Sequence, residues 1–215
     1  MVHNLSLQSS ILTTYLAEIR DVNIQKDAMR FRRNMERIGE IMAYEVSKKL
    51  PASPTQVITP LGEAQVTQIE NQPVLATILR AGLSMHSGLL NYFDKAESAF
   101  VSAYRKHKNS EEYDIMVEYL AAPNIDGKTL IISDPMLATG NSMVMVYKAL
   151  LRQGKPKRIF VVSTIATPDA LDFVKRHLPD TTEYYVGAID EELTAQSYIV
   201  PGLGDAGDLA YGEKY

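Results

Sequence analysis

Between residues 26 and 50, apolar side chains fall at Phe31, Met35, Ile38, Met42, Val46 and Leu50, in steps of three or four. That spacing puts them on one face of a helix and leaves Arg30, Arg33 and Arg37 largely outside the stripe. Pro51 and Pro54 are expected to end the helix, because proline has no amide hydrogen and disfavours helical geometry in the residue before it. Over residues 56–69 the period changes to the alternation of a strand, with Leu61, Gly62 and Glu63 in the middle, which predicts a β-hairpin projecting from the body.

Further along, short apolar runs at residues 74–79, 129–133, 159–165 and 184–188 alternate with helical patterns at 85–93, 143–153 and 169–177. Another strand-like run, 100–104, ends in the basic cluster Arg105, Lys106, His107 and Lys108. Continuously apolar strands separated by helices predict a parallel sheet covered on both faces, hence an α/β fold. Ligands of such folds gather at the carboxyl ends of the strands, so the chemistry is sought there.

With 46% of its 215 residues hydrophobic, the chain can bury one sizeable core. A single domain is expected: N-terminal helices and hairpin over about 1–70, a core over about 73–190 and a C-terminal segment over about 191–215. A formal net charge of -4 argues against wrapping nucleic acid on a broad basic surface and points to a small-molecule partner. Cysteine is absent, which excludes disulfides, cysteine-ligated zinc and thiol nucleophiles. The N-terminus lacks the basic, apolar and small-residue sequence of a secretion signal, and no stretch reaches the roughly 20 apolar residues that span a bilayer; a cytoplasmic protein without membrane contact is expected.

The segment TLIISDPMLATGNS, residues 129–142, runs from a buried strand through a loop into a helix. Asp134 then stands at a strand's carboxyl end, and Ala138, Thr139, Gly140, Asn141 and Ser142 arrive at a helix N-terminus, where unpaired amides and the positive dipole end suit an anion. The glycine spacing and lysine of the ATPase loop are absent, as is the dinucleotide G-x-G-x-x-G. A carboxylate five residues before Thr-Gly suits a phosphorylated sugar: it accepts hydrogen bonds from neighbouring hydroxyls while the amides hold the phosphate. The same residues also describe an ordinary strand–turn–helix connection in which Asp134 opens the turn and Ser142 caps the helix.

DPMLATGNS at residues 134–142 resembles the phosphoribosyl pyrophosphate (PRPP) loop of uracil phosphoribosyltransferases. ILRAGL at 78–83 resembles that family's pyrophosphate-side loop, and YIVPGLGDAGD at 198–208 its uracil loop, in the family's order. Weaker similarity runs from the helix containing Phe31 to Tyr211 and Gly212. The resemblance implies a type I phosphoribosyltransferase fold: a parallel sheet flanked by helices, with an N-terminal helical segment, a β-hairpin arm and a C-terminal base-binding hood. It implies transfer of the phosphoribosyl group of PRPP to uracil, giving UMP and pyrophosphate. PRPP contacts then fall to Arg80, Arg105, Asp134, Pro135, Met136, Leu137, Ala138, Thr139, Gly140, Asn141, Ser142 and Asp205, and uracil contacts to Ile199, Gly204, Asp205 and Ala206.

By the same resemblance, catalysis rests on Arg80, Arg105, Asp134 and Asp205, with Mg²⁺ carried mainly by the phosphates and no protein ligand assigned to it. Asp205 as the base for the uracil N1 proton is a hypothesis only, since aspartate is an ordinary weak base. Lys106, His107 and Lys108 are expected in a solvated, mobile loop. Relatives are usually at least dimeric, so a homodimer or larger homo-oligomer is expected; some respond to GTP, for which no segment here supplies a derivable site. The family pattern has glycine where Asn141 and Ser84 stand, an acidic residue at Ser87, a basic one at Leu209 and threonine at Glu213. Asparagine tolerates left-handed backbone, so the loop at Asn141 is expected to keep its shape.

Three alternatives stand beside this reading. One is a weak or silent regulatory protein of pyrimidine metabolism on the same fold, RNA-binding in some relatives; the acidic charge gives that little support. Another is a transferase for a purine base, against which PGLGDAGD speaks. The third is a domain that binds the substrates without turnover.

Overall fold

The computed structural model describes residues 1–107 and 113–214, and side chains outside 103–117. In chain order the elements are β1 (Val2–Asn4), α1 (Ile11–Arg20), α2 (Ala28–Ser47), β2 (Ala52–Thr59), β3 (Gly62–Ile69), β4 (Val74–Leu79), α3 (Leu83–Tyr92), β5 (Glu97–His107) and β6 (Tyr113–Ala121). They continue as β7 (Thr129–Ser133), β8 (Met136–Leu137), α4 (Asn141–Leu150), β9 (Arg158–Ala166), α5 (Pro168–Lys175), β10 (Glu183–Ile189), β11 (Glu192–Leu193), β12 (Ile199–Val200) and α6 (Ala206–Tyr211).

The central sheet has the order β1-β10-β9-β7-β4-β5-β6, with β8 alongside β9. All its pairings are parallel except β5 with β6. Alternate side chains of the strands go to opposite faces. Leu75, Ile131 and Phe160 pack with Phe31, Met35, Ile38 and Met42 of α2. Ala76, Leu130, Ile132 and Val161 pack with Met143, Val146, Tyr147 and Leu150 of α4. From β4 the chain winds outward through α3 to β5, and from β7 it winds the other way through α4, β9 and α5 to β10. The winding therefore reverses between β4 and β7, and the crevice at their carboxyl ends is where an open α/β sheet receives ligands.

Helix α2 starts on Asp27, whose side chain accepts the Arg30 N–H, and α2 crosses α3 at very short range. A Cβ on Gly39 would lie 2.4 Å from the Met85 carbonyl oxygen, and one on Gly88 2.0 Å from that of Glu36. The two glycines thus let backbone meet backbone and fix α3 behind the residue 80–83 turn.

Several expectations need correction. Helix α2 stops at Ser47, before Pro51, and Pro54 lies inside β2, where the two-stranded hairpin tolerates a missing donor. The basic cluster is not a loop throughout: β5 carries Arg105, Lys106 and His107 in register with Ile115, Asp114 and Tyr113, while Lys108 lies outside the described residues. The edge strands β1 and β6 and the short β8 had no forecast. Among the described residues no helix is long and apolar enough to cross a membrane.

Candidate active site

At the end of β7, Asp134 leaves the sheet with its N–H bonded to the Val162 carbonyl (3.2 Å), and its Oδ1 accepts the Met136 N–H (3.3 Å). The chain then runs along β9 as β8, the Pro135 carbonyl accepting the Thr164 and Ile165 amides (3.1 and 3.0 Å). Thr167 fixes the next bend: its hydroxyl donates to the Ala138 carbonyl (2.8 Å) and accepts the Ala170 N–H to cap α5 (3.1 Å). Gly140, at φ +79°, turns the chain into α4, and a Cβ there would stand 2.6 Å from Val174 Cγ2. Both backbone conformation and packing require glycine. The left-handed residue is thus Gly140 itself; Asn141 begins α4 with ordinary backbone, so the tolerance expected of asparagine is not called on. Nor does Ser142 cap the helix, being its second residue. Gly140 supplies no side-chain cap, the Asn141 N–H reaches only the Thr139 hydroxyl at 3.5 Å, and Ser142 lines the crevice, so this end of α4 suits an anion.

Opposite this loop, β4 delivers Arg80. The Leu79–Arg80 peptide is cis, as is Val200–Pro201. Arg80 Nη2 donates to Asp208 Oδ1 (3.0 Å) and to the Gly212 carbonyl (2.9 Å), while its Nε is buried without a partner. One nitrogen of the guanidinium, Nη2, is therefore engaged by the C-terminal segment. The turn behind it closes through the Gly82 N–H to the Ile78 carbonyl (3.0 Å), and a Cβ on Gly82 would sit 2.1 Å from Thr77 Oγ1.

The C-terminal hood consists of the β11–β12 ribbon, a glycine-rich loop and α6. Ile199 is buried and anchors the ribbon, Gly202 and Gly204 adopt φ +56° and +95°, and Asp205 caps α6 by accepting the Gly207 and Asp208 amides (2.8 and 3.0 Å). Lys214 Nζ lies 3.7 Å from the other Asp205 oxygen. The root of the hood is latched to the body. Arg20 clasps Asp190 through both nitrogens (2.7 and 2.9 Å) and reaches the Gly202 carbonyl (3.1 Å), while the Gly202 N–H donates to Asp190 Oδ2 (2.9 Å). Burial alone would raise the Asp190 pKa, but the hydrogen bonds from Arg20 and Gly202 outweigh it and hold the carboxyl below its ordinary value.

These parts enclose one cavity of about 760 Å³ whose lining includes Arg80, Ser102, Asp134, Ala138, Ser142, Tyr198, Ile199, Gly204, Asp205, Ala206 and Lys214. Asp134 keeps some surface toward it, yet loss of solvent pushes its carboxyl up to about 7 against the Met136 hydrogen bond, and the charge of Asp205 adds to the rise. Such a carboxylate is short of donors and suited to accept hydroxyls from a ligand. The structure thus brings together Arg80, Met136, Ala138, Ser142, Ile199, Gly204, Asp205 and Ala206. Pro135, Leu137, Thr139, Gly140 and Asn141 shape the loop behind them. The Arg105 backbone lies in β5, and its side chain is outside the described residues.

The sequence reading passed over Thr167, Arg20, Asp190, Asp208 and Lys214. Thr167-Pro168 carried a helix-start signal, and Asp190 had the same signal as Asp134, a carboxylate ending an apolar strand. Among the described residues no group of three or more His, Asp or Glu side chains could cage a metal ion. The carboxylates facing the cavity, Asp134 and Asp205, fit a divalent ion that keeps its waters and leans on substrate phosphates.

Comparison with known proteins agrees with this geometry. The family model described as Uracil phosphoribosyltransferase matches residues 6–213. A Porphyromonas gingivalis protein named uracil phosphoribosyltransferase is 56% identical over 213 residues, 99% of each chain. One of the same name from Methanococcus vannielii is 36% identical over 203 residues, covering 93% of this chain and 85% of that one. Among solved structures, the AQ2163 protein of Aquifex aeolicus superposes with a TM-score of 0.86 at 29% identity, over 99% of this chain and 98% of the other. With the Asp134 loop, the Arg80 turn and the hood lining one crevice, and with relatives matched over nearly the whole chain, the chain belongs to the uracil phosphoribosyltransferase family.

Proposed function

We propose that this chain transfers the 5-phosphoribosyl group of PRPP to uracil, releasing UMP and pyrophosphate, and so serves pyrimidine salvage. The observation that carries the reading is the meeting of the Asp134 loop, Arg80 and the glycine-rich hood in one cavity at the switch point of the sheet. The α4 amides and the hydroxyl of Ser142 hold the 5′-phosphate, and Asp134 accepts the ribose hydroxyls. Arg80, with Arg105, meets the pyrophosphate as its bond to the anomeric carbon breaks and positive charge builds on the sugar. Uracil N1 forms the new bond to the anomeric carbon as the bond to pyrophosphate breaks, and its proton passes to the departing pyrophosphate or to water. Asp134 and Asp205 would hold a hydrated Mg²⁺ carried on the phosphates, and such an ion would supply neutralisation of charge on the leaving group.

Uracil presents acceptor, donor and acceptor along one edge, which backbone groups at Ile199, Gly204 and Ala206 can read without changing protonation; cytosine would leave buried groups unpaired. Asp205 already spends one oxygen on the α6 cap, which favours a positioning role over that of a base. We also take the chain to act as one domain in the cytoplasm, as a homodimer or larger homo-oligomer joined through the β2–β3 arm, whose Ile58 and Leu61 are exposed.

The test is incubation of the purified protein with Mg²⁺, PRPP and each nucleobase in turn, with nucleotide and pyrophosphate followed by chromatography. UMP from uracil alone, lost in Asp134→Asn, is the expected result. Failure to form product with any base, although PRPP binds, would overturn it and leave a silent regulatory module.

A further inference from the structure

The hood meets the pyrophosphate-side turn along one face of α6. Ser84, second residue of α3 and only 7% exposed, lies with its hydroxyl 2.7 Å from that of Tyr211, the last residue of α6. Near the other end of α6, a Cβ on Gly207 would lie 3.8 Å from Ala81 Cβ, and Arg80 holds Asp208 and the Gly212 carbonyl. Arg32 of α2 also holds the Ala210 carbonyl (2.7 Å), from the body helices and not from the turn. Neither Ser84 nor Tyr211 lines the cavity.

These ties differ in what a polyanion does to them. The Arg80 guanidinium is the group that faces pyrophosphate, so on PRPP binding its bonds to Asp208 and Gly212 compete with the phosphates. The Ser84–Tyr211 pair is neutral and away from the cavity, and the arrival of charge leaves it intact. A glycine, which the family pattern has at position 84, has no hydroxyl to offer. We propose that Ser84 and Tyr211 are positioning residues, a standing tie between turn and hood that keeps residues 204–206 in register for uracil while Arg80 exchanges the C-terminal segment for pyrophosphate. This rests on the assignment of the hood to uracil and of Arg80 to PRPP.

Initial rates of Tyr211→Phe, Ser84→Ala and the double variant, varying one substrate while the other saturates, test the tie, with melting temperatures alongside. Loss of one partly buried hydrogen bond should raise KM for uracil by about three- to tenfold in each single variant and leave kcat and KM for PRPP within about twofold. The double variant should be no worse than the poorer single one, as expected for two ends of one interaction. Unchanged uracil KM in both singles, additive effects, or KM values for both substrates rising in step with a fall in melting temperature would overturn the proposal. Asp134→Asn, run in parallel, separates the two readings. Full turnover in that variant sinks the site assignment itself, whereas its loss beside Tyr211→Phe and Ser84→Ala enzymes of unchanged uracil KM sinks the tie alone.

Discussion

Asp134 carries a conflict between folding and function. Burial raises its pKa from the ordinary 3.8 to about 7, so the ionised form that the proposed ribose contact calls for is the form the fold disfavours. A carboxyl with a raised folded pKa supports the fold fully below its unfolded value, and that contribution is lost as pH rises toward and through about 7. Asp134→Asn should therefore melt higher than the parent at pH 8, by a few degrees, with the gap closing as the pH falls below about 4. Calorimetry across that range reads the effect, and equal melting temperatures at pH 8 would contradict it. Asp134 was legible in the sequence because it stands between an apolar strand and a helix start. Its coupling to Asp205 was not, since 71 residues separate positions 134 and 205 and only the folded crevice brings them near. At Asp205 the cap is the testable feature: asparagine keeps an acceptor oxygen for the Gly207 and Asp208 amides, and alanine does not. Asp205→Ala should cost about 1 kcal/mol of stability and weaken uracil binding, while Asp205→Asn keeps most of both, as measured by denaturation and uracil KM.

Elements are positioned by contacts of a different kind. Strands β4 and β7 were read from sequence with the bounds they have in the structure, since continuous apolar runs mark strands covered on both faces. Strands β1 and β8 are too short to leave a period, and β6 pairs antiparallel at an edge, where burial imposes less pattern. Also out of sight was the latch from α1 to the root of the hood, because Arg20 and Asp190 are 170 residues apart. Arg20→Ala leaves a buried carboxylate without its cation. For this partly exposed pair a loss of about 1–3 kcal/mol is expected, below the range for fully buried pairs, together with a raised uracil KM and a nearly unchanged KM for PRPP. Asp190, with its pKa held down, lends stability above its unfolded value near 3.8 and loses it as pH falls through the lower folded value, so the difference between parent and variant should shrink in acid. In the Asp134 loop, Gly140→Ala adds left-handed strain of about 1–2 kcal/mol to the clash with Val174, and on the proposed function the raised KM should be that for PRPP.

For the molecule as a whole, the alternation of strands and helices foretold a parallel α/β sheet, and the place where its winding reverses explains why motifs 50 to 70 residues apart share one cavity. The β2–β3 arm stands outside that logic. Its strands pair with each other and, among the described residues, with no strand of the central sheet. An isolated two-stranded hairpin is marginal in water, and this one presents Ile58 and Leu61 at 88% and 100% exposure near its tip. A second copy of the chain is the proposed cover for that surface. Replacing both residues by lysine puts charge where apolar contact is expected without touching the sheet, so the cavity and its chemistry should survive. Light scattering should then read a mass near the 24.0 kDa of one chain for the double variant and a multiple of it for the parent. Equal masses above one chain for both would place the contact elsewhere, and a parent already at 24.0 kDa would remove the assembly from the proposal.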